Sequence, residues 1–231
     1  MKKILIKNRF FVVAFLIFVM LTIVFSGIVS LQTSKLNGIT IVIDAGHGGR
    51  DGGSVGKLGT IEKDINLKYA LALKNKLISA GYKVVLTRTN EDGLYSELAN
   101  NKKVSDMNAR MQIIKKANPS LVISIHMNSF ADASVKGANS FYKVDDEASK
   151  TCADLIQKCL NTYCGAKNTK SKEGDYFMLN CSYYTSVLVE CGFLSNPEEE
   201  TLLNTEEYMD KITNAISSGV LLYFGNNNVG V

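Results

Sequence analysis

This chain contains only two histidines, and each lies at the end of a short apolar run. His47 follows Ile-Val-Ile-Asp-Ala-Gly (41–46), and His126 follows Leu-Val-Ile-Ser-Ile (121–125). Imidazole is the commonest neutral metal ligand and a frequent proton shuttle. Apolar runs of this kind predict buried strands, and side chains at strand ends of an open α/β sheet project into the crevice where ligands bind. We therefore expect the two histidines to meet in one site; a structural role for each is the alternative.

A third ligand is needed if this pair binds a catalytic zinc, because such a site usually has three protein ligands and one open position. With no further histidine in the chain, the third ligand must be a carboxylate. Glu62 opens the predicted helix that follows the His47 turn, and Asp64 lies two residues further on. Spacing leaves both acids open as the ligand. An acid in a first helical turn is also favoured by the helix dipole, whatever its function.

Glu190 is the second acid of interest, because it directly follows the apolar run Thr-Ser-Val-Leu-Val (185–189). A charge at the end of a buried strand is costly unless it is paired or lies beside a metal. Beside a catalytic metal, a carboxylate accepts a proton from the attacking water and delivers one to the leaving amine. The alternatives are an ion pair with Arg88 or Arg110, or capping of the turn at 192–196.

Two other chemistries fit these motifs less well. Ser54, Ser124 and Ser129 lie near the histidines in sequence, but none is in a GxSxG motif, and a Ser-His-acid triad leaves the second histidine unexplained. The glycines around His47 allow a ligand to approach the backbone closely. Their spacing matches neither GxxxxGKS/T nor GxGxxG, which argues against a nucleotide site.

The N-terminal part of the chain differs in composition from the rest. Residues 1–9 carry four basic residues and no acid, and residues 10–31 carry no charge. A membrane-spanning helix needs about 20 apolar residues, and a basic flank before it places the N-terminus in the cytoplasm. We expect a cytoplasmic flank (1–9), a transmembrane signal-anchor (10–31) and a polar tether (32–38), with the domain that follows outside the cytoplasm. A cleaved signal peptide is the alternative.

Charge and cysteine content limit the function classes. Outside residues 1–9 the chain has 22 basic and 22 acidic residues, so the exported part is formally neutral. We therefore expect no nucleic-acid partner. Five cysteines without a CxxC pair argue against a disulfide framework or a structural zinc cluster. Cys152 and Cys159 are expected to share a buried helix face; a surface disulfide of Cys164 or Cys181 is the alternative.

Predicted strands and helices alternate along the remaining chain. Strands are predicted at 39–44, 82–88, 120–125, 137–143 and 185–190, and helices at 61–80, 105–117, 147–163, 198–203 and 206–224. This alternation predicts an α/β fold, a single three-layer domain over 39–225 with a mostly parallel sheet and helices on both faces. Residues 226–231 form a tail. Ser105 is the expected N-cap of the second helix, which Asn118-Pro119 ends.

Five motifs resemble, in the same order, those of the zinc-dependent N-acetylmuramoyl-L-alanine amidases of the amidase-3 family. They are Val-Ile-Asp-Ala-Gly-His-Gly-Gly (42–49), Glu62 with its helix, Leu-Thr-Arg (86–88), Ser-Ile-His-Met-Asn (124–128) and Val-Glu-Cys-Gly-Phe-Leu-Ser-Asn (189–196). The resemblance implies that Zn²⁺ is held by His47, Glu62 and His126, and that Glu190 is the catalytic carboxylate. Two further residues, Asn128 and Arg110, are candidates for substrate binding or for support of the site.

The same resemblance implies a reaction and partners. The family cleaves the amide between N-acetylmuramic acid and L-alanine in peptidoglycan and so releases stem peptides. A single anchor with one catalytic domain resembles the sporulation-specific cortex amidases, which take part in muramic-δ-lactam formation; that role would place the domain in the intermembrane space of the forespore. We also expect an exported accessory or activating protein. A zinc carboxypeptidase acting within the stem peptide and a catalytically silent wall-binding protein are the rival hypotheses.

Overall fold

The computed structural model describes residues 15–22, 38–166, 170–180 and 183–227. The chain divides into two units, Met1–Gly38 and Ile39–Val231. Residues 15–22 of the first unit are helical. No helix among the described residues is long and apolar enough to cross a membrane. The predicted anchor (10–31) lies outside the described residues except for 15–22, as do the flank (1–9) and the tether up to residue 37, so these three segments stay predictions.

Strands and helices alternate through most of the second unit. The strands are β1 (Thr40–Ala45), β2 (Lys83–Leu86), β3 (Leu121–Asn128), β4 (Asn139–Tyr142), β5 (Lys172–Glu173) and β6 (Ser186–Phe193). The helices are α1 (Glu62–Ser79), α2 (Lys102–Ala117), α3 (Glu147–Cys164), α4 (Phe177–Asn180), α5 (Pro197–Leu203) and α6 (Glu206–Asn227). The last helix therefore runs into the predicted tail, of which residues 228–231 lie outside the described part.

One six-stranded sheet forms the centre of this unit, in the order β2-β1-β3-β6-β4-β5. The neighbours β2, β1, β3 and β6 are parallel. All eight residues of β6 are buried, so both faces of this strand are covered. On one face, Met111 and Ile114 of α2 pack against Val42 and Val122 of the sheet. The predicted α/β domain with a mostly parallel sheet is confirmed.

The fourth strand departs from the parallel pattern. β4 is antiparallel to β6, and β5 pairs with β4 in parallel. The segment between β3 and β4 contains no helix. Parallel strands need a long crossover, usually a helix, to return the chain to the same end of the sheet. Without that crossover, β4 runs in the opposite direction to β3 and β6.

Three predicted helix and strand boundaries are wrong. Ser105 is not the N-cap of α2, because the helix begins at Lys102 and Asn101 accepts the capping hydrogen bond from Val104 N at 3.0 Å. The predicted end of this helix is confirmed, since Asn118 is its left-handed C-cap. Strands β3 and β6 each run three residues beyond their predicted ends. Their pairing continues through a register shift between His126 and Asn128, which keeps both strands extended.

The cysteines agree with the simplest reading of the sequence. Cys152 and Cys159 are both buried on α3. These two, Cys164 and Cys191 are free thiols. Cys181 lies outside the described residues. Burial raises the pKa of the Cys152 thiol well above its usual value, so this thiol is un-ionised at neutral pH.

Candidate metal centre

The sheet brings the two histidines together. His126 lies within β3, and His47 follows the neighbouring parallel strand β1, whose last residue pairs with Ile125. The two imidazole rings meet edge to face, with their centroids 5.0 Å apart. The sequence prediction that the histidines meet is therefore confirmed. The pairing of β1 with β3, two strands far apart in sequence, and not one local motif determines this arrangement.

Glu62 is the acid that joins them. Its Oε1 lies 3.2 Å from His47 Nε2 and 3.0 Å from His126 Nδ1. One ligand atom from each of the three residues falls within 4.8 Å of the others. Ligand atoms of a tetrahedral zinc, each bonded at about 2.0–2.1 Å, are themselves about 3.3 Å apart. Two imidazoles and one carboxylate are also donors that suit zinc, so these residues could hold such an ion.

The Glu62 carboxylate is held from several directions. It accepts hydrogen bonds from Ser54 N (2.8 Å), Asn66 Nδ2 (3.2 Å) and Met127 N (3.3 Å). Burial alone would raise its pKa, but hydrogen bonds and charge from the two histidines outweigh burial and hold the pKa well below its usual value. Asp64 is not part of the metal-binding group. The structure thus brings Glu62, and not its sequence neighbour, to the histidines.

The turn that carries His47 has an unusual backbone. His47 has φ +61°, a left-handed conformation that is uncommon for residues other than glycine. Its Nδ1 lies 3.0 Å from Asp51 Oδ1, within ion-pair distance but without hydrogen-bond geometry, and its Nε2 lies 3.2 Å from Glu62 Oε1. A carboxylate beside the outer nitrogen of a metal-binding imidazole helps to orient the ring. A side chain at Gly46 would overlap the His126 ring, so only glycine permits this close approach.

Arg110 supports this turn through hydrogen bonds to its backbone. It is 1% exposed and donates from Nη1 to Asp44 Oδ1 and to Ala45 O, each at 2.7 Å, and from Nη2 to His47 O. Its Nε donates to Asp106 Oδ2 at 2.6 Å. These contacts fit support of the site, and a role of Arg110 in substrate binding stays a prediction. Asn128 accepts a hydrogen bond from Ser129 N, and its role at the site stays a prediction.

Arg88 is a supporting residue whose role was not predicted from the sequence, although it belongs to the motif Leu-Thr-Arg (86–88) and was an alternative partner for Glu190. Its Nε donates to Ala45 O and its Nη2 to Gly46 O, both at 2.9 Å, and Nη2 also donates to Lys63 O at 2.7 Å. The two arginines therefore hold three successive carbonyls, at positions 45 to 47. The available signal was a charged residue at the end of a predicted strand (82–88).

Asp44 is the buried counter-charge of this support. Its carboxylate accepts from Thr87 Oγ1 and Ser124 Oγ, each at 2.7 Å, as well as from Arg110. Burial acts to raise the pKa of Asp44, but the Arg110 charge and these hydrogen bonds prevail and lower the pKa to about 2. Asp44 is therefore ionised at neutral pH and anchors the arginine that holds the His47 turn.

Glu190 has the opposite environment. It is 7% exposed, and its Oε2 has no hydrogen-bond partner among the described residues. Burial, together with the negative charge of Glu62, raises the pKa of Glu190 to about 7, against the opposing effect of the two histidines. The alternative of an ion pair with Arg88 or Arg110 is wrong, because both guanidinium groups are engaged elsewhere. A buried acid with a pKa near neutrality is suited to accept and donate a proton.

Comparison with known proteins identifies the family that has this fold and site. A model of the N-acetylmuramoyl-L-alanine amidase family (Amidase_3) matches residues 41–221. The chain is 37% identical over 195 residues to a germination-specific N-acetylmuramoyl-L-alanine amidase of Bacillus subtilis (strain 168), covering 82% of this chain and 81% of that one. It belongs to the Amidase_3 family of N-acetylmuramoyl-L-alanine amidases, enzymes of the peptidoglycan cell wall.

Solved structures agree with this assignment and refine it. The CwlD amidase from Clostridioides difficile, solved in complex with the GerS lipoprotein, is 37% identical, with a TM-score of 0.75 over 81% of this chain and 99% of that one. An N-acetylmuramoyl-L-alanine amidase from Clostridium difficile 630 is 30% identical, with a TM-score of 0.73 over 81% of this chain and 97% of that one. A CwlD-type amidase fits these similarities.

Proposed function

We propose that this amidase is zinc-dependent, with the metal held by His47, Glu62 and His126 and with Glu190 as the catalytic carboxylate. The observation that carries the proposal is the position of Glu190, a buried acid whose Oε2 has no hydrogen-bond partner among the described residues, near three converging ligand atoms. Zinc bound there would polarise the carbonyl of the scissile amide and acidify a water molecule. The amide is the one between the lactyl group of N-acetylmuramic acid and L-alanine.

The chain's own residues supply the proton transfers and the positioning. With a pKa raised to about 7, Glu190 can be a carboxylate when water attacks and a carboxylic acid when the amine leaves. Asp51 orients the His47 ring, and Ser54 N and Asn66 orient the Glu62 carboxylate. Arg88 and Arg110 fix the backbone of the His47 turn. These preset contacts limit the reorganisation that the reaction requires.

The test combines metal content with product analysis on the full-length chain, purified alone and together with its co-expressed exported partner. Together with the partner, the wild type should bind close to one zinc and release from peptidoglycan intact stem peptides that begin with L-alanine. Glu190→Gln should keep the metal and lose hydrolysis, whereas His126→Ala should lose both. Shortened stem peptides still attached to the glycan would instead indicate a carboxypeptidase. Wild-type protein that binds peptidoglycan without cutting it, with zinc present, would support a silent wall-binding protein.

We also propose that the enzyme acts on spore cortex, in the formation of muramic-δ-lactam. The germination-specific relative and the similarity to the CwlD amidase support this role. Deletion of the gene should leave cortex muropeptides without the lactam, and the wild-type gene should restore it while the Glu190→Gln gene should not. Normal lactam content in the deletion strain would contradict the cortex role and leave the amidase activity itself unaffected.

An accessory protein and a membrane anchor complete the proposal. The CwlD amidase was solved in complex with the GerS lipoprotein, which supports an exported partner for this chain. Residues 10–31 are proposed to hold the catalytic domain outside the cytoplasm, in the forespore intermembrane space. Full-rate cleavage and tight zinc binding by the purified chain alone would remove the reason for a partner. Recovery of the chain in the soluble fraction, without cleavage at residues 10–31, would contradict the anchor.

A further inference from the structure

A cavity of about 310 Å³ lies against one side of the proposed metal centre. His47 and His126 form part of its wall. Met107, Met178 and Tyr95 supply apolar lining, and the basic residues Arg50, Lys102 and Lys103 also line it. A cavity that shares two proposed metal ligands with the reaction centre is where the part of the substrate next to the scissile bond would bind.

Most charges in this cavity are already paired. Lys102 Nζ lies 2.6 Å from Glu97 Oε2, and Arg50 Nη2 lies 3.7 Å from the same oxygen. In the wall, Asp44 and Asp106 both bond to Arg110. The acids that line the cavity or border it therefore have their own cationic partners, except for Asp51, which lies against His47.

Lys103 is the exception among the basic residues. It is exposed and forms no ion pair within 4 Å with any residue that the structure describes. Burial acts to raise the pKa of Asp51, and His47 and the Gly53 N–H lower it. The charge of Lys103 makes a smaller contribution that also lowers this pKa. Its ammonium group is thus available to a ligand in the cavity.

The position of Lys103 on its helix argues against a purely stabilising role. Lys102 and Lys103 are the first two residues of α2, whose first turn contains no acid. Positive charges at a helix N-terminus oppose the helix dipole and destabilise the helix. An anion bound here would interact favourably both with Lys103 and with the dipole of α2.

We propose that Lys103 binds a carboxylate of the substrate, the free α-carboxylate of the second residue of the stem peptide. That residue is a glutamate joined through its γ-carboxyl in unmodified stem peptides, which leaves the α-carboxylate ionised. Two residues of extended chain span about 7 Å, so this group lies within a short reach of the scissile amide. Amidation of this α-carboxylate, which converts the residue to isoglutamine, removes the negative charge and leaves the shape of the peptide almost unchanged. The inference rests on the proposed amidase reaction and adds a preference for the unamidated peptide.

The experiment compares two synthetic substrates, N-acetylmuramoyl-L-alanyl-D-isoglutamate and its isoglutamine counterpart, with the zinc-loaded full-length chain at low ionic strength. The wild type should prefer the acid by about fivefold in kcat/KM, chiefly through a lower KM. Lys103→Gln should bring the ratio to within about twofold, and Lys103→Glu should invert it. Lys116→Gln, at the opposite end of the same helix, is the matched control and should keep the wild-type ratio.

Calorimetric binding of both compounds to the metal-free chain separates this inference from the amidase reaction itself. Cleavage of both substrates at equal kcat/KM, or an acid preference that survives in Lys103→Gln, would overturn the carboxylate site and leave the amidase reaction intact. Preferential binding of the acid that depends on Lys103, without cleavage once zinc is added, would support the carboxylate site and count against the reaction. Neither binding nor cleavage would overturn both.

Discussion

His126 and Glu190 occupy paired positions on neighbouring parallel strands, β3 and β6. Side chains at paired positions of adjacent strands emerge on the same face of a sheet. The proposed metal ligand and the proposed proton acceptor are therefore held beside each other by backbone hydrogen bonding rather than by a flexible loop. A site on strands is more rigid than one on loops, which suits a reaction that needs fixed distances.

Replacing Glu190 should separate stability from activity. Burial raises the pKa of Glu190 to about 7 from a usual value of 4.5. The metal-free wild type should therefore lose stability as the pH rises from about 4.5 to about 7, whereas Glu190→Gln should not. The free energy of unfolding of Glu190→Gln minus that of the wild type should be about 3 kcal/mol larger at pH 8 than at pH 4.5. Urea unfolding followed by circular dichroism measures this difference.

The control for that measurement is Glu198→Gln, which changes a glutamate whose side chain is 82% exposed. Its stability should follow the wild-type pH profile. Parallel profiles for the wild type and Glu190→Gln would show that the folded protein does not raise the pKa of Glu190, and the case for Glu190 as a proton carrier near neutral pH would fail.

Ionised Asp44 should contribute to the free energy of unfolding, and this contribution should be lost at low pH. Its pKa is about 2 in the folded protein and 3.8 in the unfolded chain. The contribution, about 2 kcal/mol, is complete above pH 4 and is lost as the pH falls towards 2. Asp44→Asn also leaves Arg110 with one fewer counter-charge, so at pH 6 we expect a loss of about 2–4 kcal/mol. The gap between the two proteins should narrow in acid.

Unfolding of EDTA-treated protein between pH 2 and pH 6 provides the measurement for Asp44. Asp210→Asn serves as the control, since Asp210 forms an exposed ion pair with Lys76. Exposed pairs contribute about 0–1 kcal/mol, so this variant should differ little from the wild type. A constant gap between wild type and Asp44→Asn across the pH range would contradict the lowered pKa of Asp44.

Gly46→Ala should damage metal binding more than folding. The added methyl group would overlap the His126 ring, which must then move away from Glu62. We expect zinc affinity to fall by at least about tenfold, as for residues that position metal ligands. Competition with a chromophoric chelator measures the affinity. Gly225→Ala, where an added Cβ meets nothing within 4 Å, should leave zinc affinity unchanged; an unaffected affinity in Gly46→Ala would show that the His126 ring can move without cost.

Arg88→Lys tests the support of the His47 turn. An ammonium group cannot reproduce the planar set of donors that reaches Ala45 O, Gly46 O and Lys63 O. We expect a loss of about 2 kcal/mol in unfolding free energy and about 10–100-fold in zinc affinity. Lys76→Met, which removes only a surface ion pair, should change neither by much. Wild-type zinc affinity in Arg88→Lys would mean that the turn keeps its shape without this guanidinium.

Local patterns in the sequence predicted much of this architecture. Apolar runs of β-branched residues located β1, β3 and β6, and helical periodicity located α1 almost to the residue. The antiparallel direction of β4 was not predicted, because the residue types in a strand do not show in which direction it runs relative to its neighbours. The absence of a helix between β3 and β4 was the usable signal. Asn101 was missed as the cap of α2 because Ser105 fits the same pattern three residues into the helix.

The site was predictable in part. Strand ends predicted that His47 and His126 meet, but spacing could not choose between Glu62 and Asp64. That choice depends on the direction in which α1 leaves the His47 loop, a tertiary property. The role of Arg88 could not be predicted from local patterns, because its partners are backbone carbonyls. Every residue has a backbone carbonyl, so the residue types do not show which carbonyls accept these hydrogen bonds.

The order of strands in the sheet also separates formation of the metal centre from formation of the complete site. The proposed ligands come from residues 47 to 126 and converge when β1 and β3 are paired, whereas Glu190 joins them only when β6 pairs with β3. Contacts between such distant segments form slowly, because long loops must close first. Zinc uptake during refolding should therefore follow the pairing of β1 with β3, and activity should follow the pairing of β6. A chain interrupted between β3 and β6 would retain both histidines and Glu62, yet would lack the strand that supplies the proton acceptor.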